Sequence, residues 1–300
     1  MFEKKTLHGA YFATAAFLFW GVVPIYFKWI DHVSPLEIVS HRVIWSVVLL
    51  AIIVSVTRSW ATLRISRPQL LTLVLTACLL SINWLIFIYA VLNDNIVEAS
   101  LGYFINPLVS VLLGMIFLRE RLRPLQWVAV CLAAAGITYQ LFFYGRLPII
   151  ALSLAFSFGF YGLLRKTLAL PSVTGLMLET LIVCPLAIGY LVWLAGQGTM
   201  KFAAVDLTTD LLLVAAGFVT SFPLLCFAAA VTRLSLTAAG MFQYLGPSIS
   251  LVIAVLWYGE AFGIDRVVTF TCIWLAILIF SIESVHYHRR LTGRAQLTSR

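Results

Sequence analysis

Charge is scarce in this chain: 20 Lys and Arg and 12 Asp and Glu stand among 300 residues, 11% in all, against about 25% in soluble domains. So little charge cannot cover in water a chain that is 62% hydrophobic. A soluble globular enzyme is thereby excluded. Cysteine is sparse as well. Cys78, Cys131, Cys184, Cys226 and Cys272 each stand alone in an apolar run, with no CxxC and no His at ligand spacing. They offer neither a disulfide framework nor a zinc site and read as small packing residues. There is no HExxH, GxSxG, P-loop or dinucleotide fingerprint, so no metal, no cofactor and no enzymatic reaction are expected. The net charge of +8 does not point to nucleic acid, because the basic residues gather at the ends of apolar runs. His286 and His288, beside Arg289 and Arg290, fit a basic segment meeting anionic lipid better than a metal site.

What the chain has in plenty is apolar runs, each long enough to span a bilayer at about 20 residues. Lipid offers no partner for backbone polar groups, so these runs must be helices. The first begins behind Met1–Lys5 and continues past Pro24 to Ile30, too long for a signal peptide's apolar region. The pattern predicts ten helices, at 9–30, 36–57, 70–91, 97–118, 124–143, 147–169, 174–195, 209–231, 235–257 and 264–287. Turn residues separate them, among them Ser34-Pro35, Asn93-Asp94-Asn95, Arg123-Pro124, Pro171-Ser172 and Gly196-Gln197-Gly198. With the N-terminus cytoplasmic, fifteen Lys and Arg fall in inner loops and tails, including Arg165, Lys166 and Arg233. Only Arg146, Lys201 and Arg266 fall outside. That bias predicts both termini inside, in a multi-pass protein of the cytoplasmic (inner) membrane.

The chain also repeats itself. Asn106-Pro107 and Glu120 recur as Gly246-Pro247 and Glu260, both 140 residues on. Ala90-Val91, Ala99 and Ser110 recur as Ala230-Val231, Ala239 and Ser250. Five helices per repeat is an odd number, so the second repeat must enter the membrane inverted. The expected fold is all-α and polytopic, with two inverted five-helix repeats at 1–145 and 146–290 and a basic tail at 291–300. That is the architecture of alternating-access transporters, whose binding site lies between the repeats near mid-membrane.

Polar residues at membrane depth are the candidates for function. Arg42 lies about 9 Å along its helix at 1.5 Å per residue. It either binds a carboxylate, nitro or phosphate group of a solute or pairs internally with Glu37 or Glu98. Glu37 either completes a capping box with Ser34, with Pro35 at the first helical position, or serves transport with His41. Glu179 sits inside an apolar helix with no cap to explain it, and suits either proton coupling or a local hydrogen bond. Glu98 begins its helix, where a carboxylate suits the macrodipole. Glu120 and Glu260, ending their helices, suit a shared structural task such as bonding an adjoining helix start. Tyr103, Asn106, Gln243 and Tyr244 surround Pro107 and Pro247, prolines that kink helices and free carbonyls. With Gly102 and Gly240 leaving room, they read as cavity lining or as packing hinges. Pro24 is a third hinge candidate. Asn83, Trp84 and Trp20 complete the set, Trp84 as a face on which an aromatic solute can stack. The expected partners are a small-molecule substrate, membrane lipids and a proton. No nucleic acid is expected, and the chain is monomeric or homodimeric, since Gly159-Phe160-Tyr161-Gly162 permits close helix approach without requiring a dimer.

Leu118-Arg-Glu-Arg-Leu-Arg-Pro-Leu-Gln-Trp127 resembles the glutamate signature that ends helix four in the EamA family of the drug/metabolite transporter superfamily, and Gly259-Glu260 matches it in the second half. Phe19-Trp-Gly, Pro24-Ile-Tyr-Phe-Lys28, His41-Arg-Val-Ile-Trp-Ser46, Glu98 to Pro107 and Phe242 to Pro247 look like the RarD branch of that family. The resemblance runs from about residue 9 to 290 and implies ten helices, no ATPase and carriage of a small organic solute. The branch's label, chloramphenicol sensitivity, suggests a drug-like or metabolite substrate class. Arg119 departs from the pattern, standing where the family usually has glycine before the glutamate.

Overall fold

The computed structural model describes residues 2–297 except 94, 146, 169 and 258–262, and every regular element among them is helical. The first repeat contains α1 (Phe2–Trp29), α2 (Pro35–Val56), α3 (Arg67–Leu92), α4 (Ile96–Phe117) and α5 (Pro124–Tyr144), with a 3-10 turn at Trp60–Leu63. The second contains α6 (Ile149–Leu168), α7 (Ser172–Gly196), α8 (Leu207–Val231), α9 (Leu236–Gln243), α10 (Leu245–Leu256) and α11 (Ile264–Leu297). Ten spans of 19 to 25 residues are apolar enough to cross a membrane, α9 and α10 together forming one of them. Exposed Leu71, Leu186 and Val192 lie on an outer surface that lipid covers without cost.

The helix starts follow the sequence. Ser34 accepts from the Glu37 amide with Pro35 first in α2, Asp206 accepts from Thr209, and Ser235 accepts from Ala238. Three features differ from expectation. The ninth span breaks at Tyr244. Pro247 cannot donate to the Gln243 carbonyl and its ring crowds it, so α9 stops at Gln243 and the proline sits in the first turn of α10. Pro24 and Pro107 lie within continuous helices, so the expected hinges are not symmetric. Residues 291–297 of the expected tail continue α11.

The packing interlocks the repeats. The close helix pairs are α2 with α7, α4 with α9, and α5 with α11, each joining a helix to its counterpart in the other half. The pairs α1–α8 and α3–α6 are likewise exchanged by the repeat, as are α4–α6 and α1–α10. A pseudo-twofold relation between inverted halves produces this pattern. Glycines allow the closest crossings. A Cβ on Gly240 would stand 2.9 Å from the Pro107 carbonyl, and one on Gly102 would stand 3.1 Å from that of Ala151. The space expected there for a solute is filled by neighbouring helices.

Candidate functional site

Five helices bring polar and aromatic groups around Arg42. It enters α2 seven residues after Pro35, roughly 10 Å along the axis. Its Nε donates to the Thr220 hydroxyl of α8 at 2.7 Å. The guanidinium carbon stands 4.8 Å from the Trp84 ring centre on α3 and 5.7 Å from that of Phe27 on α1, within cation–π range. Tyr26 of α1 and Tyr103 of α4 are the phenols that feel its charge, and Tyr103 is half exposed. Arg42 is only partly covered. Among the described residues it has no acidic partner, and its two terminal amino groups meet no protein acceptor and are not sealed from access.

The carboxylates expected to pair with Arg42 are engaged elsewhere. Glu37 is buried and accepts from the amides of Lys201 and Phe202 at 2.8 and 3.1 Å. Ser34 caps α2 as expected, while the Glu37 carboxylate turns to the α7–α8 connection instead of back to Ser34. Glu98 accepts from the Ile150 amide at 2.7 Å and from the Tyr144 hydroxyl at 2.5 Å. Glu120 accepts from Leu236 and Thr237 at 2.6 and 2.9 Å. Each of these three acids in the first repeat thus satisfies backbone amides of the second, chiefly at helix starts, where orphan N–H groups need acceptors. Arg119, in the left-handed region with φ 53°, makes the turn that aims Glu120 at α9. Glu260 lies outside the described residues.

Glu179 is not alone. It is buried on α7 and takes hydrogen bonds from Thr76 of α3 at 2.7 Å and Tyr161 of α6 at 3.3 Å. Nη1 of Arg165 on α6 lies 3.7 Å from it, and both side chains are sealed, with exposures of 2% and 1%. The sequence placed Arg165 in an inner loop, but it is a cation inside the bundle. Its Nη2 donates to the Ser172 carbonyl at 3.4 Å, while Nε and Nη1 have no hydrogen-bond acceptor. Gly175 was the signal that sequence reading missed. A Cβ there would stand 1.6 Å from Arg165 Nη1, so only glycine leaves room for the guanidinium. A cavity of about 10 Å³ beside Glu179 is lined by Val43, Ser81, Trp84, Glu179 and Thr180 among others, and has room for about one water. Trp84 thus borders this cavity and also lies under Arg42.

The other candidates are dispersed. Asn83 donates to the Leu154 carbonyl at 3.0 Å and the Ser157 hydroxyl at 2.9 Å, pinning α3 to α6. Trp20 packs among Phe17, Phe158 and Phe227 at ring separations of 5.3 to 6.1 Å. His41 accepts from the Trp45 indole at 3.2 Å and lies on Phe202, turned from the Arg42 group. Gln243 donates to Ser110 at 3.0 Å across the α4–α9 contact. Asn106 Oδ1, Gln243 Oε1 and the Tyr244 hydroxyl are buried there without hydrogen-bond partners. Of the expected lining set, Trp84 and Tyr103 gather about Arg42, while Asn106, Gln243 and Tyr244 lie apart from them at the α4–α9 contact.

The comparisons with known proteins agree with this architecture. The sequence profile of the EamA-like transporter family matches twice, at residues 7–142 and 147–282. The chain is 48% identical to the Escherichia coli protein RarD over 97% of its own length and 99% of that protein's. It is 43% identical to the uncharacterized transporter YojE of Bacillus subtilis, covering 96% and 98% of the two chains. A solved crystal structure, 18% identical, superposes with a TM-score of 0.71 over 93% of this chain and 97% of its own, which shows the fold.

Proposed function

This chain belongs to the EamA-like transporter family, a multi-pass membrane family whose relatives bear transporter names, and from that premise we propose that it is a secondary carrier working by alternating access on a small organic metabolite or drug-like compound. The inner membrane with both termini cytoplasmic is its proposed setting, following the excess of inner Lys and Arg. The observation that carries the reading is Arg42, a partly accessible cation at membrane depth with no acid beside it among the described residues. A charge at membrane depth without a counter-ion is costly and persists where a ligand uses it. The pseudo-twofold packing supports the mechanism. Helices α2, α7, α4 and α9 meet their counterparts across the axis, so rocking one half against the other exchanges the two faces. Repeats 1–145 and 146–290 are the proposed moving units. A proton is the proposed coupling ion, with Glu179 as its acceptor, because this carboxylate inside the bundle lines the small cavity, where one water can bring a proton to it.

Flux into proteoliposomes of the purified protein, offered a mixed metabolite and antibiotic pool with and without a pH gradient, tests this. A compound accumulating only with the gradient supports both carrier and coupling. Accumulation indifferent to the gradient removes the proton. Saturable binding with no flux would instead make the protein a membrane sensor.

A further inference from the structure

The two repeats place polar groups at matching positions and complete them differently. Arg42 and Glu179 each lie eight residues beyond their helix caps, Ser34 and Pro171. Tyr26 and Arg165 each lie three residues before the ends of their helices, Trp29 and Leu168. Both α2 and α7 then reach a threonine on the exchanged partner helix: Arg42 meets Thr220 of α8, and Glu179 meets Thr76 of α3. In the second repeat this arrangement is a complete ion pair, with Arg165 3.7 Å from Glu179. The first repeat has the cation and a phenol, and among the described residues the acid is missing. The Tyr26 hydroxyl is occupied, donating to the Leu212 carbonyl at 2.8 Å. The groups around Arg42 are neutral: Thr220, Trp84, Phe27, Tyr26 and Tyr103.

The free donors have a definite shape. With Nε bound to Thr220, the two terminal amino groups of Arg42 remain as an end-on pair. A planar fork of two N–H groups matches the two oxygens of a carboxylate. Trp84 covers one face of the guanidinium and gives the rest of the solute an apolar wall. A cationic solute would meet like charge, and a neutral one would leave the guanidinium without a counter-ion.

Resting on the carrier reading above, we infer that the solute is a small carboxylate, whose anionic head completes at Arg42 the ion pair that Glu179 completes within the protein at Arg165. Glu179 is then the built-in likeness of the bound solute.

The test uses the full chain purified in detergent, with thermal unfolding followed in the presence of acetate, benzoate and indole-3-acetate, each beside its neutral amide. At least one acid raises the midpoint and its amide does not. The rise disappears in Arg42→Gln, and the acid binds at least about tenfold more weakly to Arg42→Lys, which keeps the charge and loses the fork. A ligand-free arm supplies the missing acid from the protein. Tyr26→Glu, and separately Thr220→Asp, should each raise the midpoint more in the Arg42 protein than in Arg42→Gln, and should abolish the response to the acid. Equal shifts by acid and amide, no shift by any acid, a response persisting in Arg42→Gln, or identical effects of both acidic substitutions in the two backgrounds would overturn the inference. Failure of the carrier reading looks different: acids bind at Arg42, yet no solute crosses the membrane. Flux confined to neutral or cationic solutes refutes the carboxylate assignment while leaving the carrier intact.

Discussion

Removing Glu179 should be among the most damaging single changes in the protein. Its carboxylate and the Arg165 guanidinium are both sealed, at 1% and 2% exposure. Deleting one partner of a buried pair leaves an uncompensated charge and costs about 3–5 kcal/mol. Here the acid also accepts from Thr76 and Tyr161; Thr76 can turn to the Leu73 carbonyl, but Glu179→Leu strands the Tyr161 hydroxyl as well and belongs at the upper end. Arg165→Met leaves a buried carboxylate that keeps both hydroxyl donors, and belongs at the lower end. The double variant Arg165→Met/Glu179→Leu removes both charges. It should recover most of the loss, because replacing a buried pair by apolar groups is often neutral or stabilising. The coupling energy from the cycle should therefore exceed about 3 kcal/mol, the top of the usual range for contacting residues. Reversible unfolding in mixed detergent micelles, read by helical circular dichroism, measures it. Single variants costing under about 1 kcal/mol, the range of exposed pairs, with additive effects in the double variant, would refute the description of this site as a sealed ion pair.

Glu120→Ala removes the acceptor of two amides at the start of α9. It should cost about 1–3 kcal/mol for each amide left buried without a partner, with faster hydrogen exchange at Leu236 and Thr237. Arg119→Gly should stabilise the protein, because a non-glycine residue at φ 53° carries roughly 1–2 kcal/mol of strain, part of which glycine's greater unfolded freedom cancels. The same unfolding assay reads both. At the mouth of α8, the hydrogen bond from the Thr209 amide holds the Asp206 carboxyl below the usual carboxylate range. A lowered folded-state value means that its stabilisation is present at neutral pH and is lost as pH falls through that value. Asp206→Ala should therefore be less stable than the wild-type protein at neutral pH, with the difference shrinking toward zero as pH falls below the carboxylate range; a difference that does not change with pH would contradict this.

The fold was legible because lipid leaves so few solutions. Apolar runs of helix length, separated by Ser34-Pro35, Arg123-Pro124 and Pro171-Ser172, marked the spans within a few residues, and Pro107 with Pro247 exposed the repeat. The same repeat misled where side chains decide. Equal prolines suggested equal hinges, yet only Pro247 stands at a helix break. The site was less legible because a carboxylate's partner is set by tertiary contact. Glu37, Glu98 and Glu120 all turned to backbone amides of the opposite repeat, which no local pattern announces. Arg165 was hidden among loop cations at the end of α6, although Gly175, four residues before Glu179, marks the space it fills. Arg42 could be singled out by its depth alone, and Trp84 by the flat face it offers, but their meeting needed α2 and α3 to be placed side by side.

The role of Arg42 in carriage is tested most directly by solute flux into proteoliposomes reconstituted with equal amounts of folded wild-type protein and Arg42→Ala, from the same mixed pool. Loss of flux for every compound that the wild-type protein carries, with helical content and unfolding midpoint retained, is the predicted result. Undiminished flux through Arg42→Ala would contradict it and move the binding site away from α2.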